Sequence, residues 1–380
     1  MILAPALRRA GDSSRRMPNY TNKKVLGRRQ NLSGWLMASP AILLIVMFLI
    51  LPFFMAFGLA FTNQRLVSPN PTEFVGIRNF ERMLGLNVLL VQPELNDQGS
   101  LILDQQGQPI YPRLRKFTRN SPEYPHLNRK REWMSWQWFG NQRLYLLASD
   151  VVFMKALANT VFFVIVVCPV QAGLALLLAL LINQPLRGIN IFRTIYFTPV
   201  VISMVIVAIL WRFIYDGENG LLNHLLGSLS LGLFEPIDWL GNKDTALPAI
   251  MGMSVWQGVG FHMVIWLSGL QTIPHALYEA ADIDGASKWQ KFRYITWPGL
   301  RNTAVLVMVI ITMQAFTLYP QVQVMTRGGP LDSTQSLVFQ MVQRGYEKQD
   351  IAGGSAISVF LFLFVLIISL TQRYLSQRQN

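Results

Sequence analysis

Few residues of this 380-residue chain have the types and spacing that covalent chemistry requires. Cys168 is its single cysteine, which excludes an intramolecular disulfide and a metal site built from several cysteines. Because it lies in an apolar run beside Pro169, a buried neutral thiol is predicted rather than a nucleophile. The sequence has no Gly-x-x-x-x-Gly-Lys-Ser/Thr phosphate loop, so ATP hydrolysis by that route is excluded. No nucleophile–base pair or metal-binding cluster stands out, which disfavours an enzyme.

Non-covalent recognition is the chemistry that the remaining polar residues favour. Hydroxyl and amide groups hydrogen-bond to polar solutes, and aromatic rings stack on them. Five side chains of these kinds lie in one apolar stretch: Ser254, Trp256, Gln257, Phe261 and His262. Gly258 and Gly260 stand among them and predict a local irregularity in a helix. Packing between helices is the alternative role for each polar residue, and for His262 the alternatives are an internal hydrogen bond or a proton relay.

The elements that must position these residues are recognised as long stretches without charged residues. Six long apolar stretches contain no Asp, Glu, Lys or Arg: 30–64, 156–186, 194–211, 245–278, 302–326 and 351–372. Each has about 18 residues or more, which is the length that crosses a bilayer, and backbone groups in lipid must be satisfied within a helix. The predicted fold class is therefore an all-α polytopic membrane protein with six transmembrane helices. The predicted spans are Trp35–Ala60, Leu157–Asn183, Ile191–Tyr215, Ala246–Leu270, Thr303–Tyr319 and Ala352–Tyr374.

The basic residues predict the orientation of these spans. Segment 1–34 carries eight bases against the single acid Asp12, and the positive-inside rule places it in the cytoplasm. Six crossings return the tail 376–380 to the same side. Segment 271–301 is also predicted to be cytoplasmic, because it carries four bases: Lys288, Lys291, Arg293 and Arg301.

The overall composition agrees with a membrane protein. Apolar residues make up 52% and charged residues 14%, against roughly 25% charged in a typical soluble domain. This apolar content excludes a disordered basic protein. The formal net charge of +13 would suggest a nucleic-acid partner only if it lay on a water-soluble folded surface. Most of it lies instead on segments predicted to face the cytoplasm and anionic lipid, so no nucleic-acid partner is expected.

Segment 61–155, between the first two predicted spans, is far longer than a helix connection needs. It is polar and is predicted to be an extracytoplasmic insertion, with a weak hairpin signal at Leu101–Leu103 and Ile110–Tyr111. Three tryptophans follow near its end: Trp133, Trp136 and Trp138. They indicate either an aromatic belt at the membrane interface or a docking surface for an extracytoplasmic partner.

The charged segment 271–301 has the pattern of a short surface helix. Pro274 can begin such a helix and Gly285 can end it. Between them, Ala280 and Ala281 are small enough to let the backbone of another protein approach closely. A second amphipathic piece follows, with apolar residues at helical spacing: Trp289, Phe292 and Ile295.

This segment resembles the Glu-Ala-Ala loop of the membrane subunits of bacterial ABC importers. The family pattern is Glu-Ala-Ala, three residues, Gly, about nine residues, Ile, two residues and Pro. Its counterparts here are Glu279, Ala280, Ala281, Gly285, Ile295 and Pro298. A finer resemblance is to the carbohydrate-uptake group that includes the maltose-type permeases. Its Ile-Pro-x-x-Leu-Tyr-Glu-Ala pattern runs from Ile273 to Ala280, and its Thr-x-Gly-Gly-Pro pattern from Thr326 to Pro330.

The resemblance implies an importer with four core parts. Two six-helix membrane subunits would form a heterodimer, two ATPase subunits would bind below them, and an extracytoplasmic solute-binding protein would deliver the solute. ATP and Mg would bind to the ATPase partners, and this chain would hold no cofactor or metal. The chain would lie in the bacterial inner membrane as a multi-pass protein in contact with lipid. The residues implied to couple it to the ATPase are Tyr278, Glu279, Ala280, Ala281, Asp284, Gly285, Ala286, Ile295 and Pro298.

For the solute path, the resemblance implies contacts from the fourth and fifth spans. The positions that match sugar contacts of maltose-type permeases are Ser254, Gln257, Gly258, Phe261, Ile311, Gln314 and Ala315. Thr317 and Tyr319 lie near the fifth-span positions and are added to the candidates. Apolar Ile311 and Ala315 replace polar positions of that pattern, which favours a sugar other than maltose or contacts supplied by the partner subunit.

The expected function is that of a permease subunit that translocates a sugar by ATP-driven alternating access, the sugar being a di- or oligosaccharide or a glycoside. A permease for glycerol-phosphate or another polyol-like solute is the alternative within this class, and a proton-coupled secondary transporter is the alternative outside it. The expected organisation is a basic cytoplasmic segment 1–34, a first transmembrane helix 35–60, an extracytoplasmic insertion 61–155, a five-helix core 156–375 with its coupling loop 271–301, and a tail 376–380.

Overall fold

The computed structural model describes residues 23–98, 100–119, 121–184 and 188–377, with the side chains of 34–374 among them. The predictions made for most of segment 1–34 and for the end of the tail 376–380 lie outside the described residues. The chain divides into two compact units, 1–55 and 56–380.

The first unit is helical where it is described. Helix α1 (Lys23–Ile45) continues through a π-helical turn (Val46–Ile50) into α2 (Leu51–Leu59). The stretch Gly34–Leu59 is long and apolar enough to cross a membrane, and its most apolar window has no buried residue. An apolar helix whose faces are not covered by protein suits a lipid surrounding, as the first predicted span requires.

The insertion between the first two predicted spans contains an antiparallel sheet. Its elements in chain order are α3 (Arg78–Leu84), β1 (Leu86–Val91), α4 (Arg115–Thr118), a 3-10 turn (Pro125–Leu127), β2 (Arg131–Gln137), a second 3-10 turn (Phe139–Asn141) and β3 (Arg143–Ala148). The strand order is β1-β3-β2. The sheet corrects the all-α prediction, which holds only in the sense that most of the described chain is helical. Short polar strands separated by turns give a much weaker sequence signal than long apolar helices.

The sheet has one covered face. Because side chains alternate along a strand, Leu89 and Val91 of β1 lie on the same face as Tyr145 and Leu147 of β3, and all four are buried. The neighbouring residues of β1, such as Val88, point to the other face and are exposed.

The three tryptophans of the insertion differ in burial. Trp133 packs, half-buried, against the cluster that contains Phe153. Trp136 and Trp138 are 42% and 47% exposed. Exposed rings of this kind fit both alternatives, the aromatic belt and the docking surface, so each stays a prediction.

Twelve further helices follow in the described chain. They are α5 (Val151–Ile182), α6 (Ile189–Val201), α7 (Met204–Ile214), α8 (Leu221–Leu229), α9 (Ala246–Gln271), α10 (His275–Ile283), α11 (Lys288–Lys291), α12 (Trp297–Gly299), α13 (Arg301–Phe316), α14 (Pro320–Met325), α15 (Leu337–Val342) and α16 (Ile351–Gln377). A π-helical turn (Phe292–Thr296) joins α11 to α12, and another (Gln343–Glu347) follows α15.

Four single helices of the described chain are long and apolar enough to cross a membrane. The number of spans rises to six if each of two bent helix pairs is counted as one span. Besides Gly34–Leu59, the single ones are α5, α9 and α16 up to Tyr374. The third predicted span is not one straight helix, because α6 and α7 meet at a 101° bend. Pro199 lies within α6, lacks a backbone N–H, and the helix ends two residues later. The fifth predicted span is also corrected: α13 ends at Phe316, and the helices before it, Lys288–Gly299, meet it at 66°.

The centre of the helical core is the packing of α5 on α9. Alanines at 172, 175 and 179 line the contact side of α5, and Met263, Trp266 and Leu270 of α9 pack in the same cluster. Trp266 Nε1 donates a hydrogen bond to the carbonyl of Ala172 at 3.1 Å. The small alanines allow the close approach that helix pairs in membranes use.

One arginine links the beginnings of two long helices. Arg344 Nη1 lies 2.8 Å from Asp150, the residue that caps α5 by accepting a hydrogen bond from Phe153 N–H. Arg344 Nε also lies 3.1 Å from Asp350, which accepts a hydrogen bond from Gly353 N–H at the start of α16. The three side chains are only 12–21% exposed, so this network fixes α5 and α16 to the turn after α15.

Candidate functional site

The predicted coupling helix forms as α10. Pro274 precedes it, and all nine of its residues are exposed or partly exposed in the described structure. Its end has the Schellman pattern, in which Gly285 N–H donates to the carbonyl of Asp282 and Ala286 N–H donates to that of Ala281. Gly285 has φ +72°, the left-handed conformation that glycine adopts without strain. A Cβ added there would meet no atom of the described chain within 4 Å.

Side-chain contacts tie α10 to the residues that follow it. The Tyr278 hydroxyl lies 2.9 Å from Thr296 Oγ1. Lys291 pairs with Asp282. Ser287 and Gln290 form a reciprocal capping box that begins α11. The segment is therefore held in one shape by its own bonds.

The other residues of the predicted coupling set lie at the surface. Glu279, Ala280, Asp284 and Pro298 are exposed, and Ala281, Ala286 and Ile295 are half-buried. Glu279 Oε1 contacts His275 Nδ1 at 2.9 Å, with both side chains in solvent. Large apolar side chains are also exposed on this segment: Leu277, Ile283, Trp289, Tyr294 and Trp297. An exposed apolar patch around a small-residue helix is typical of a protein-binding surface.

A cavity of about 450 Å³ lies among the helices of the core. Seven of the nine predicted path residues line it: Ser254, Gln257, Gly258, Phe261, His262, Gln314 and Thr317. The other two predicted residues, Trp256 and Tyr319, are not among its lining residues. Trp256 instead contacts Trp211, with ring centroids 5.5 Å apart, and Tyr319 packs near Phe339.

Two glutamines outside the predicted set also line the cavity, namely Gln171 of α5 and Gln321 of α14. Gln171 is 4% exposed, and its amide lies 2.9 Å from His262 Nδ1. It is the only carboxamide between 161 and 182, and that isolation in an apolar run is the signal that could have found it. Gln321 follows the end of the fifth predicted span, where no pattern singles it out.

The glycines of α9 have a different role from the predicted one. Helix α9 runs unbroken from Ala246 to Gln271, so the expected irregularity is absent from the described helix. A Cβ on Gly258 would overlap the amide of Gln171, and one on Gly260 would overlap the carbonyl of Tyr196. The glycines therefore make room for α5 and α6 rather than bending α9.

Side chains that line the cavity can form hydrogen bonds, and the acidic and basic residue types Asp, Glu, Lys and Arg are absent from its described lining. The hydroxyls of Ser254 and Thr317 donate to carbonyls of their own chain segment, at 2.8 Å each, and each oxygen can still accept. In the described part of the chain, no Asp, Glu, Lys or Arg lines this cavity. The described residues also contain no group of three His, Cys, Asp or Glu side chains that could hold a metal ion. The geometry thus suits reversible binding of a polar solute.

Comparisons with known proteins identify the family of the chain. Residues 150–380 match the family described as the inner membrane component of binding-protein-dependent transport systems. A probable ABC transporter permease protein of Pyrococcus horikoshii is 34% identical over 244 residues, which are 64% of this chain and 83% of the relative. The trehalose/maltose transport system permease protein of Thermococcus litoralis is 36% identical over 216 residues, 57% of this chain and 71% of the relative.

A solved structure shares the fold. It is a bacterial ABC transporter involved in the import of the acidic polysaccharide alginate, with a TM-score of 0.64 and 20% identity, and the match covers 93% of this chain and 98% of the other. The family match, which takes in α5 to α16, covers both the cavity and the surface segment with α10. The chain therefore belongs to the inner-membrane components of binding-protein-dependent transport systems, as an ABC transporter permease subunit whose ATPase is a separate chain.

Proposed function

We propose that this permease subunit carries a sugar, either a di- or oligosaccharide or a glycoside, across the inner membrane by ATP-driven alternating access. The observation that carries the proposal is the 450 Å³ cavity, where amide, hydroxyl and aromatic groups of α5, α9 and the end of α13 meet. Sugars are held by such groups, through hydrogen bonds to hydroxyls and stacking on rings. The relative named as a trehalose/maltose permease supports this solute class.

Helix α10 is the proposed contact with the ATPase. Its small residues Ala280 and Ala281 are accessible, and the space around Gly285 is open on this chain's side. Two bonds, Tyr278 to Thr296 and Lys291 to Asp282, link the helix to the π-helical turn before α12 and to α11. A push on α10 would pass through this turn and α12 to α13, which carries Gln314 of the cavity. ATP and Mg would be held by the ATPase partners.

The proposed arrangement in the membrane has six spans, with two of them bent, and both termini in the cytoplasm. Insertion 61–155 then lies outside, on the side from which a solute-binding protein delivers. A second permease subunit would complete the path as a heterodimer.

Uptake of a panel of labelled maltose, trehalose and lactose by cells that produce the whole importer tests the proposal. Replacing Gln257 or Gln314 with Ala should lower uptake about tenfold, since each removes a hydrogen-bonding group from the cavity. The control is Gln323→Ala, because Gln323 lies on α14 but does not line the cavity. Normal uptake by both cavity variants would contradict the assigned path.

The energy source is tested in the same cells. Inactivating the phosphate-loop lysine of the partner ATPase should abolish uptake, whereas a protonophore that leaves ATP levels intact should not. The opposite pair of results would favour a proton-coupled secondary transporter.

A further inference from the structure

A second pocket, of about 420 Å³, lies farther along two of the helices that line the core cavity. On α7, Met204 lines the cavity, and Tyr215, just after the helix, lines this outer pocket. On α14, Gln321 lines the cavity and Met325 lines the outer pocket. The two spacings correspond to about three helical turns and about one, so each pair lies on one face of its helix. The residues of the outer pocket that matter below are Arg212, Tyr215, Asp216, Asp238, Leu240 and Thr326.

Packed apolar side chains separate the two sites on this chain. Val207 and Ala208 of α7 and Val322 of α14 lie between the residues that line the cavity and those that line the outer pocket. They are at most 1% exposed and belong to one apolar cluster. In the proposed arrangement α7 ends on the extracytoplasmic side. A solute that arrives from that side therefore reaches the outer pocket without disturbing the apolar layer.

The outer pocket carries charges, which the described lining of the cavity lacks. Arg212, Asp216 and Asp238 line it, and all three are exposed. Within the described residues none of them forms an ion pair. Arg212 donates from Nη1 to the carbonyl of Val324 at 3.4 Å, which leaves most of its five N–H donors free. Each carboxylate accepts backbone N–H groups of its own turn at Oδ1, which leaves Oδ2 as a free acceptor.

The two turns that carry the carboxylates are fixed to each other. Asn223 is 5% exposed and donates from Nδ2 to the carbonyls of Gly217 and Ile237, at 2.9 Å each. Its Oδ1 accepts a hydrogen bond from Trp239 Nε1 at 2.8 Å. Gly217 packs directly on Asp238, because an added Cβ would lie 3.2 Å from the Asp238 Cβ. Binding at these carboxylates would therefore not have to order them first.

This set of groups fits a polyhydroxyl solute. A hydroxyl donates and accepts hydrogen bonds, whereas a carboxylate only accepts and a guanidinium only donates. Hydrogen bonds to charged groups are roughly twice as strong as neutral ones, which suits a pocket where water competes. A side chain of the binding protein is the other occupant that such a pocket could take. The position of the pocket in line with the cavity favours the solute.

We infer that the outer pocket is a second solute-binding site of this subunit, which receives the sugar from the binding protein before the sugar reaches the cavity. This inference rests on the proposed function. It assigns hydroxyl acceptors to Asp216 and Asp238 and a hydroxyl donor to Arg212.

The first test detects the solute in the outer pocket. Leu240→Cys places a thiol on the lining of the pocket, and Leu233→Cys is the control, at a side chain 88% exposed and outside the pocket. The complete importer in lipid nanodiscs is treated with a thiol reagent in the presence of excess maltose, trehalose or lactose. The sugar that the importer transports should slow labelling at 240 but not at 233, and Asp216→Asn with Asp238→Asn should remove the effect. Labelling at 240 that this sugar does not slow would overturn the inference.

The second test measures what the site contributes to transport in proteoliposomes that contain the complete importer. Asp216→Asn combined with Asp238→Asn keeps Oδ1 for the turns and replaces the free acceptor by a donor. Uptake at saturating loaded binding protein should fall about tenfold. The binding-protein concentration that half-stimulates ATP hydrolysis should stay unchanged. Glu235→Gln is the matched control, because Glu235 is exposed on the same loop but does not line the outer pocket.

The outcomes separate the inference from the proposed function. A tenfold rise in the half-stimulating concentration would show that the binding protein occupies the pocket and would overturn the inference, as would normal uptake by the double variant. Absence of ATP-dependent uptake of all three sugars by the unaltered importer would instead remove the proposed function.

Binding-protein-stimulated ATPase activity reports whether the double variant assembles. If it does not, Arg212→Gln takes its place, since Arg212 is exposed and makes a single hydrogen bond of 3.4 Å within the described chain. The same tenfold loss of uptake at an unchanged half-stimulating concentration is expected. Normal uptake by Arg212→Gln would overturn the inference.

Discussion

Gly285 shows at the residue scale why a short motif needs a glycine at one position. Its φ of +72° completes the Schellman end of α10, and a side chain there would meet nothing of the described chain within 4 Å. The positive φ is a requirement of the backbone, and the open space leaves room for a partner. A substitution that tolerates positive φ but adds a side chain separates these two properties.

Gly285→Asn is expected to keep the loop but to uncouple transport. Asparagine tolerates the left-handed conformation, which costs other residues about 1–2 kcal/mol, so the fold should survive. If the ATPase fills the open space, the added side chain should lower uptake about tenfold or more while ATP hydrolysis continues. The control is Gly107→Asn in the insertion, where φ is +75° and no described atom lies within 4 Å of the added Cβ. Normal uptake by Gly285→Asn would contradict close contact at this residue.

At the element scale, the close approach of α6 and α9 depends on Gly260. A Cβ there would overlap the carbonyl of Tyr196, which is backbone and cannot swing away. Gly260→Ala should therefore destabilise the protein by about 2 kcal/mol, as overpacking does. Thermal unfolding of the detergent-solubilised importer measures this.

Gly173→Ala is its matched control. Gly173 lies within α5, and a Cβ there meets no atom of the described chain within 4 Å. Alanine is the better helix former by about 1 kcal/mol, so this variant should be neutral or slightly more stable. Equal melting temperatures for Gly260→Ala and the unaltered protein would show that α6 and α9 separate easily.

The Arg344 network makes a second prediction at this scale. Arg344→Ala leaves Asp150 and Asp350 largely buried without their cation, and should lower the free energy of unfolding by about 2 kcal/mol. This loss is smaller than the loss expected for a fully buried ion pair, because water still reaches the three groups. Lys155→Ala removes an exposed pair with Asp332 at 3.7 Å and should change stability by less than about 1 kcal/mol. If both variants melt at the same temperature, the network does not clamp α5 to α16.

The arrangement of the whole molecule in the membrane can be tested with single cysteines. The native Cys168 is buried and gives little background. Leu233→Cys, at a side chain 88% exposed, should react with a membrane-impermeant thiol reagent added outside whole cells. Ile283→Cys, at a side chain 87% exposed on α10, should react only after the membrane is permeabilised. Labelling of residue 283 in intact cells would reverse the proposed orientation.

The family, the apolar helices and the surface loop could be predicted from the amino-acid sequence. These features are local in the chain: charge-free stretches of membrane length and the pattern from Glu279 to Pro298 need no knowledge of distant contacts. It also identified seven residues of the cavity, because Ser254 to His262 share one helix and Gln314 and Thr317 lie at the end of another.

The contacts of these residues depend on the three-dimensional fold. The pairing of Gln171 with His262 joins positions 91 residues apart, and the place of Trp256 outside the cavity follows from how α9 is rotated against α5 and α7. The 101° bend between α6 and α7 and the sheet of the insertion were equally hidden. An apolar run shows that a segment prefers lipid or protein over water, but uniform apolarity carries no mark of which side faces a neighbour. Only packing determines which side that is.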